Sequence, residues 1–223
     1  MYILALDTGT NLQSIALLCD ERILGHSCQA AKASHTQMLL PAIDKLLSSH
    51  ALKVSDLNGL AVSIGPGSFS GLRVGLATMT GFRMALGIPL VTVPTLEAMA
   101  WNVREADLPI CPILKARAGL VYWACYRWEG EKLVQVIREQ VGSLDALVQS
   151  LSAPTLAFGE GWMVNRDALL KMTGLMQETS PEAMSPSAVN VGLASLSQFK
   201  TGKFAGYGQG PHYIQPSYAE MKG

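Results

Sequence analysis

Gly65-Pro66-Gly67-Ser68-Phe69-Ser70-Gly71-Leu72-Arg73 is the stretch on which the fold turns. It follows an apolar run, residues 60–64, that reads as a buried strand, and leads into a helical pattern over 70–86. Strand, glycine-rich elbow and helix in direct succession are the unit of an α/β protein. Working outward, 88–93 is the next strand and Pro94-Thr95 opens a helix to about 104. Towards the N-terminus, 2–6, 14–18 and 22–28 read as strands, the last two joined by a hairpin at Cys19-Asp20-Glu21. Ser34-His35-Thr36-Gln37 has the pattern of a capping box, with a helix to about 49 that Pro41 should kink or delay.

The second half repeats the order less clearly. Strands are predicted at 110–114, 121–128 and 133–140, a helix at 144–151 and a strand at 155–158, a duplication with a period near 105 residues. A helix at 187–198 and an irregular tail from Tyr207, anchored by Tyr213 and Tyr218, complete the reading. Two lobes follow, 1–105 and 106–223, with the tail crossing back to the first.

Composition narrows the function. Apolar residues make up 49% of the 223, charged residues 15%, and mean hydropathy is +0.24, which excludes a disordered chain. Seventeen basic and seventeen acidic residues cancel, unlike a strongly basic nucleic-acid binder. The most apolar stretch, 71–86, is cut by Arg73 and Arg83, and the N-terminus lacks the basic start of a signal peptide. Cys19, Cys28, Cys111 and Cys125 are widely spaced, as for reduced thiols in the cytoplasm.

Two places could carry chemistry. Asp7-Thr8-Gly9 ends the first strand, and an acid there can hold a metal or water, or simply form a turn. The Gly65–Arg73 loop can bring backbone N–H groups to an anion, or be an elbow packed for shape. It is not a Walker loop, because no Lys-Ser or Lys-Thr follows. Arg73, in the first helical turn, opposes the dipole and calls for a partner. His35 has Leu39 at i+4, so no helical zinc pair exists, and His26, His50 and His212 fall in no ligand spacing. No protease constellation is recoverable.

The helix over 70–86 is apolar on every side, with Leu72, Val74, Leu76, Met79, Phe82, Met84 and Leu86 around its axis. Small residues recur at i+4, Gly71 with Gly75 and Ala77 with Gly81 and Ala85, so another helix can come close. The first helix has a broad apolar face in Met38, Leu39, Ala42, Ile43, Leu46 and Leu47.

These residues resemble the TsaB (YeaZ) family. The resemblance runs through Ile3-Leu4-Ala5-Leu6-Asp7-Thr8, His35 with Leu39-Leu40-Pro41, the block 65–77, Pro94-Thr95-Leu96-Glu97-Ala98, Ala116-Arg117, Val121-Tyr122, Gly159-Glu160-Gly161 and Pro211-His212-Tyr213. It implies an actin-like fold of two ribonuclease-H-like lobes with mixed sheets. It also implies a part in making N6-threonylcarbamoyladenosine in tRNA, beside the anticodon. The implied role is a non-catalytic scaffold for TsaD, the related subunit that binds metal and transfers the threonylcarbamoyl group; a small ATPase, TsaE, joins them, and tRNA is met through the complex. No metal or cofactor is implied. The same surface would form a homodimer when the chain is alone.

Carried onto this sequence, the partner surface comprises Met38, Leu39, Ala42, Ile43 and Leu46 of the first helix. From the second it takes Gly71, Leu72, Val74, Gly75, Ala77, Thr78, Gly81, Phe82 and Ala85. Asp7, Thr8, Gly9, Gly65, Gly67 and Ser68 are the candidates for a weak nucleotide contact. The sequence departs from the family at Lys115, Leu120 and Gln215, where Asp, Glu and Arg are usual. The alternative, a free-standing actin-like ATPase or kinase, needs an acid in each lobe, and Lys115 stands where the second would be.

Overall fold

The computed structural model describes residues 1–30, 35–104, 106–179 and 184–214, with the backbone alone for 35–37. The Ser34 capping box, the His35 side chain, Gln215 and Tyr218 therefore lie outside the described residues.

The first sheet has the order β3-β2-β1-β4-β5. Its strands are β1 (Tyr2–Asp7), β2 (Leu12–Cys19), β3 (Arg22–Ala30), β4 (Gly59–Ser63) and β5 (Leu90–Val93). β1 to β3 form an antiparallel meander, while β4 and β5 run parallel to β1. β1 and β4 are near-continuous apolar runs because helices cover both faces of the sheet. On one face lie α1 (His35–Ser48) and α2 (Phe69–Leu86). Leu39, Ile43, Leu46 and Leu47 of α1, with Leu76 and Met79 of α2, pack there on Leu4, Leu6, Ile15, Leu17, Leu60 and Val62. α1 continues through Pro41. α3 (Thr95–Ala100) follows β5 and stops short of the predicted end.

The second sheet repeats that order as β10-β9-β6-β7-β8. Its strands are β6 (Ile110–Lys115), β7 (Val121–Glu129), β8 (Lys132–Gly142), β9 (Thr155–Phe158) and β10 (Met176–Glu178). β6 to β8 are antiparallel, and β9 and β10 parallel to β6. α4 (Leu144–Ser150) and α5 (Glu160–Met172) supply Leu147, Trp162 and Leu169 to a core with Cys111, Ile113, Trp123 and Cys125. The duplication thus goes further than the sequence pattern, which contains neither α5 nor β10. α5 turns only Gly161, Trp162 and Leu169 inward and leaves Met163 and Val164 exposed, so no apolar stripe marks it. β10 has three residues, one of them buried.

By contacts the described residues divide into Met1–Ala98 with Pro186–His212, and Met99–Ser185 with Tyr213 and Ile214. α6 (Ala188–Thr201) belongs to the first unit and covers the sheet face opposite α1 and α2. A Cβ on Gly192 would stand 2.5 Å from a Leu18 methyl, so the glycine lets α6 lie close to the strands. Among the described residues no helix is long and apolar enough to cross a membrane.

Candidate functional site

Two features of the first unit draw together the residues singled out in the sequence: a closed elbow where β1 and β4 end, and the outward side of α2.

At the elbow, Asp7-Thr8-Gly9 meets the loop from Gly65 to Gly71. Ser68 caps α2, its hydroxyl accepting from the Gly71 N–H at 3.3 Å. The Ser68 N–H donates to the Gly9 carbonyl at 2.7 Å, and the Thr8 hydroxyl donates to the Gly71 carbonyl at 2.7 Å. Thr95, at the start of α3, clamps the loop from the other side. Its hydroxyl accepts from the Gly65 N–H at 3.1 Å, and its own N–H donates to the Gly65 carbonyl at 2.7 Å.

The glycines here serve close packing between backbones. A Cβ on Gly67 would lie 2.2 Å from the Gly9 carbonyl oxygen, one on Gly71 2.0 Å from that of Thr8, and one on Gly65 2.5 Å from that of His212. The sides of these three glycines on which a Cβ would stand are filled by backbone, so close packing accounts for each of them. Gly159 and Gly161 do the same work in the second unit, pressed on the Ile113 and Leu114 backbone after β9.

Asp7 is fully buried. Burial raises its carboxyl above the ordinary carboxylate range; the Ser63 hydroxyl and the Gly9 N–H oppose the shift. Asp7 Oδ1 accepts from Gly9 at 3.2 Å. Ser63 is close enough to favour the charged form, yet neither Asp7 Oδ2 nor the Ser63 hydroxyl completes a hydrogen bond. Asp7, Ser14 and Cys28 stand in line across β1, β2 and β3. Ser14 accepts from the Ala188 N–H of α6 at 2.9 Å. Burial first, then the Asp7 charge, raises the Cys28 thiol. The sequence did not single out Ser63 or Ser14, because a serine ending or crossing an apolar strand has no local signature.

The structure divides the expected partner surface. Leu39, Ile43, Leu46, Gly71, Leu72 and Gly75 point into their own unit and are buried. The Gly71/Gly75 stripe admits the β1 end: a Cβ on Gly75 would lie 2.3 Å from the Thr8 hydroxyl oxygen. The reading of that stripe as a seat for a partner helix is corrected accordingly. The other stripe faces out. Ala77, Gly81 and Ala85 are exposed, Val74, Thr78 and Phe82 half-buried, and a Cβ on Gly81 would meet nothing within 4 Å. Met84, 71% exposed, continues this face on α2, and Met38, 56% exposed, and half-buried Ala42 lie on α1. Arg73 lies over the Phe69 ring, 3.9 Å from its centroid, and so has an aromatic partner one turn back.

In the second unit Lys115 ends β6 half-exposed, 3.9 Å from Glu160, and Leu120 is half-buried.

The chain is 32% identical over 212 residues to the tRNA threonylcarbamoyladenosine biosynthesis protein TsaB of Escherichia coli (strain K12), covering 91% of this chain and 89% of that one. It is 30% identical over 228 residues to the protein of the same name from Bacillus subtilis (strain 168), covering 100% and 97%. YeaZ from Pseudomonas aeruginosa superposes with a TM-score of 0.80 at 26% identity, over 95% of this chain and 99% of that one. The family model for TsaD, tRNA N6-adenosine threonylcarbamoyltransferase, matches residues 22–189. With relatives matching over nearly their whole length and the same two-sheet, actin-like fold, the chain belongs to the TsaB family, within the wider family that the TsaD model describes.

Proposed function

We propose that this chain is the non-catalytic partner of a TsaD-type transferase in the formation of N6-threonylcarbamoyladenosine beside the tRNA anticodon. Its full-length similarity to proteins named for that biosynthesis carries the reading. The chain works in the cytoplasm, is joined by a TsaE-type ATPase and meets tRNA through the complex. The first unit supplies the contact: the outward side of α2 at Val74, Ala77, Thr78, Gly81, Phe82 and Ala85, with Met38 and Ala42 of α1. Small residues there leave room for a facing helix, and the six inward-pointing residues support the surface from below. Alone, two copies meet through the same patch in an isologous contact, so homodimer and heterodimer compete. The elbow at Asp7 holds α2 in place and leaves little for a nucleotide to grip, because protein closes its glycine faces.

Calorimetric titration of the purified chain with the TsaD-type protein of the same genome tests this. Gly81→Glu and Ala77→Glu each place a charge on the outward stripe, and each should weaken binding by about a hundredfold or more, roughly 3 kcal/mol. Their circular-dichroism melts should show no loss of stability against the parent. A folded variant that binds with unchanged affinity moves the interface elsewhere, and absence of binding by the unaltered chain removes the proposed role altogether.

A further inference from the structure

The second unit carries a pair of cysteines that the proposed role does not use. β6 and β7 are neighbours, and their register pairs Ile110 with Tyr126 and Ile113 with Trp123. Cys111 therefore stands directly across from Cys125. Opposed residues of antiparallel strands point to the same face with Cα atoms about 4.5 or 5.5 Å apart, inside the range of about 4.4–6.8 Å that a disulfide spans. Both cysteines are free and face the core between the sheet and α5, Cys111 at 0% and Cys125 at 2% exposure, in one cluster with Trp123, Trp162 and Leu169. The register sets the two thiols side by side in that cluster. The Cys111 thiol is pushed well above the ordinary range, first by hydrogen bonding to Cys125 and then by burial, so Cys111 rests protonated and slow to react.

The strands around the pair are loosened. Pro112, next to Cys111, has no N–H to donate, and the β6–β7 pairing steps from Ile110 to Ile113 without a bridge between. On the other flank, the register of β7 with β8 shifts on both sides of Cys125. A seam with an interrupted ladder opens locally at lower free energy than an intact one, which gives the buried sulfurs a route to solvent. Cys19 and Cys28 provide a contrast: they lie in the first unit, opposite Arg22 and Ser14.

We propose that Cys111 and Cys125 form a modification site, a dithiol that a peroxide-class two-electron oxidant converts into a cross-strand disulfide between β6 and β7. In the opened seam one thiolate attacks an oxygen of hydrogen peroxide and breaks the O–O bond. This gives a sulfenic acid and a hydroxide, which takes up the thiol proton. The second sulfur displaces the remaining oxygen, which leaves as water with the second proton. Two thiols and one peroxide become one disulfide and two waters; an external thiol reverses the step by exchange.

The test uses the intact protein. It is exposed to hydrogen peroxide in native buffer and quenched, remaining thiols are alkylated under guanidinium, and unreduced peptides are mapped by mass spectrometry. The expected result is a linked Cys111–Cys125 peptide pair, lighter by two hydrogens, that dithiothreitol restores. The two free thiols should disappear in step. Recovery of both as alkylated thiols after exposures that have already oxidised Cys28 overturns the proposal, as does linkage of either to Cys19 or Cys28.

Discussion

Replacing Gly75 by Ala tests the account of how α2 is seated, because the same substitution at Gly81 should act in the opposite direction. A methyl group at 75 would stand 2.3 Å from the Thr8 hydroxyl oxygen and 3.6 Å from a Leu6 methyl. Thr8 is fully buried, and its hydroxyl spans 2.7 Å to the Gly71 carbonyl. The methyl must either drive Thr8 off that bond or lift α2 from the sheet. Losing a buried hydrogen bond costs about 1–3 kcal/mol and overpacking a similar amount, while Ala regains about 1 kcal/mol over Gly in a helix. The expected net loss is about 1–2 kcal/mol. At Gly81 nothing lies within 4 Å of the added Cβ, so only the helix term remains, a gain of roughly 0.5–1 kcal/mol. Urea unfolding should be followed by far-ultraviolet circular dichroism, with hydrogen exchange at the β1 amides. All four tryptophans, Trp101, Trp123, Trp128 and Trp162, lie in the second unit and report on that unit instead. In a Thr8→Ala background the cost of Gly75→Ala should shrink by about 1 kcal/mol or more, since the clashing oxygen has gone. Equal stability of the two single variants, or no coupling to Thr8, would refute the packing argument.

Three further outcomes follow from the second unit and the elbow. Burial raises the Glu139 carboxyl to about 7, so between about pH 4.5 and 7 it stays mostly protonated in the folded chain while the unfolded one ionises. Its contribution is therefore complete below about pH 4.5 and fades as pH rises through about 7, by on the order of 1–2 kcal/mol once its partial exposure is discounted. Tryptophan fluorescence in urea across that window should show the decline, and Glu139→Gln should flatten it. Lys115→Ala should cost at most about 0.5 kcal/mol, because the pair with Glu160 is long and both side chains are half-exposed; a loss above about 1 kcal/mol would assign Lys115 a larger part. Thr95→Val leaves the buried Gly65 N–H without its acceptor and should cost about 1–3 kcal/mol, with faster exchange at the Gly65 amide. A change below about 0.5 kcal/mol would remove Thr95 from the clamp.

The α/β class and the succession of strands and helices along the first unit were legible in the sequence, since both are written in local pattern. The apolar runs of β1 and β4 mark strands buried on both faces, and the block from Gly65 to Arg73 marks a strand-to-helix elbow whatever surrounds it. The same block carried the family resemblance. Which side of each small-residue stripe is covered depends on the assembled fold. Gly71 and Gly75 look like Ala77 and Gly81 in the chain, but the first pair lies against Thr8 and the second against open space. Helical spacing fixes which residues share a face without saying what that face meets. α5 was illegible for the complementary reason: its exposed Met163 and Val164 blur the periodicity that its buried Trp162 and Leu169 would otherwise show. Cys111 and Cys125, 14 positions apart in the chain, become a pair through the register of β6 against β7, which is fixed by long-range pairing that no local pattern records.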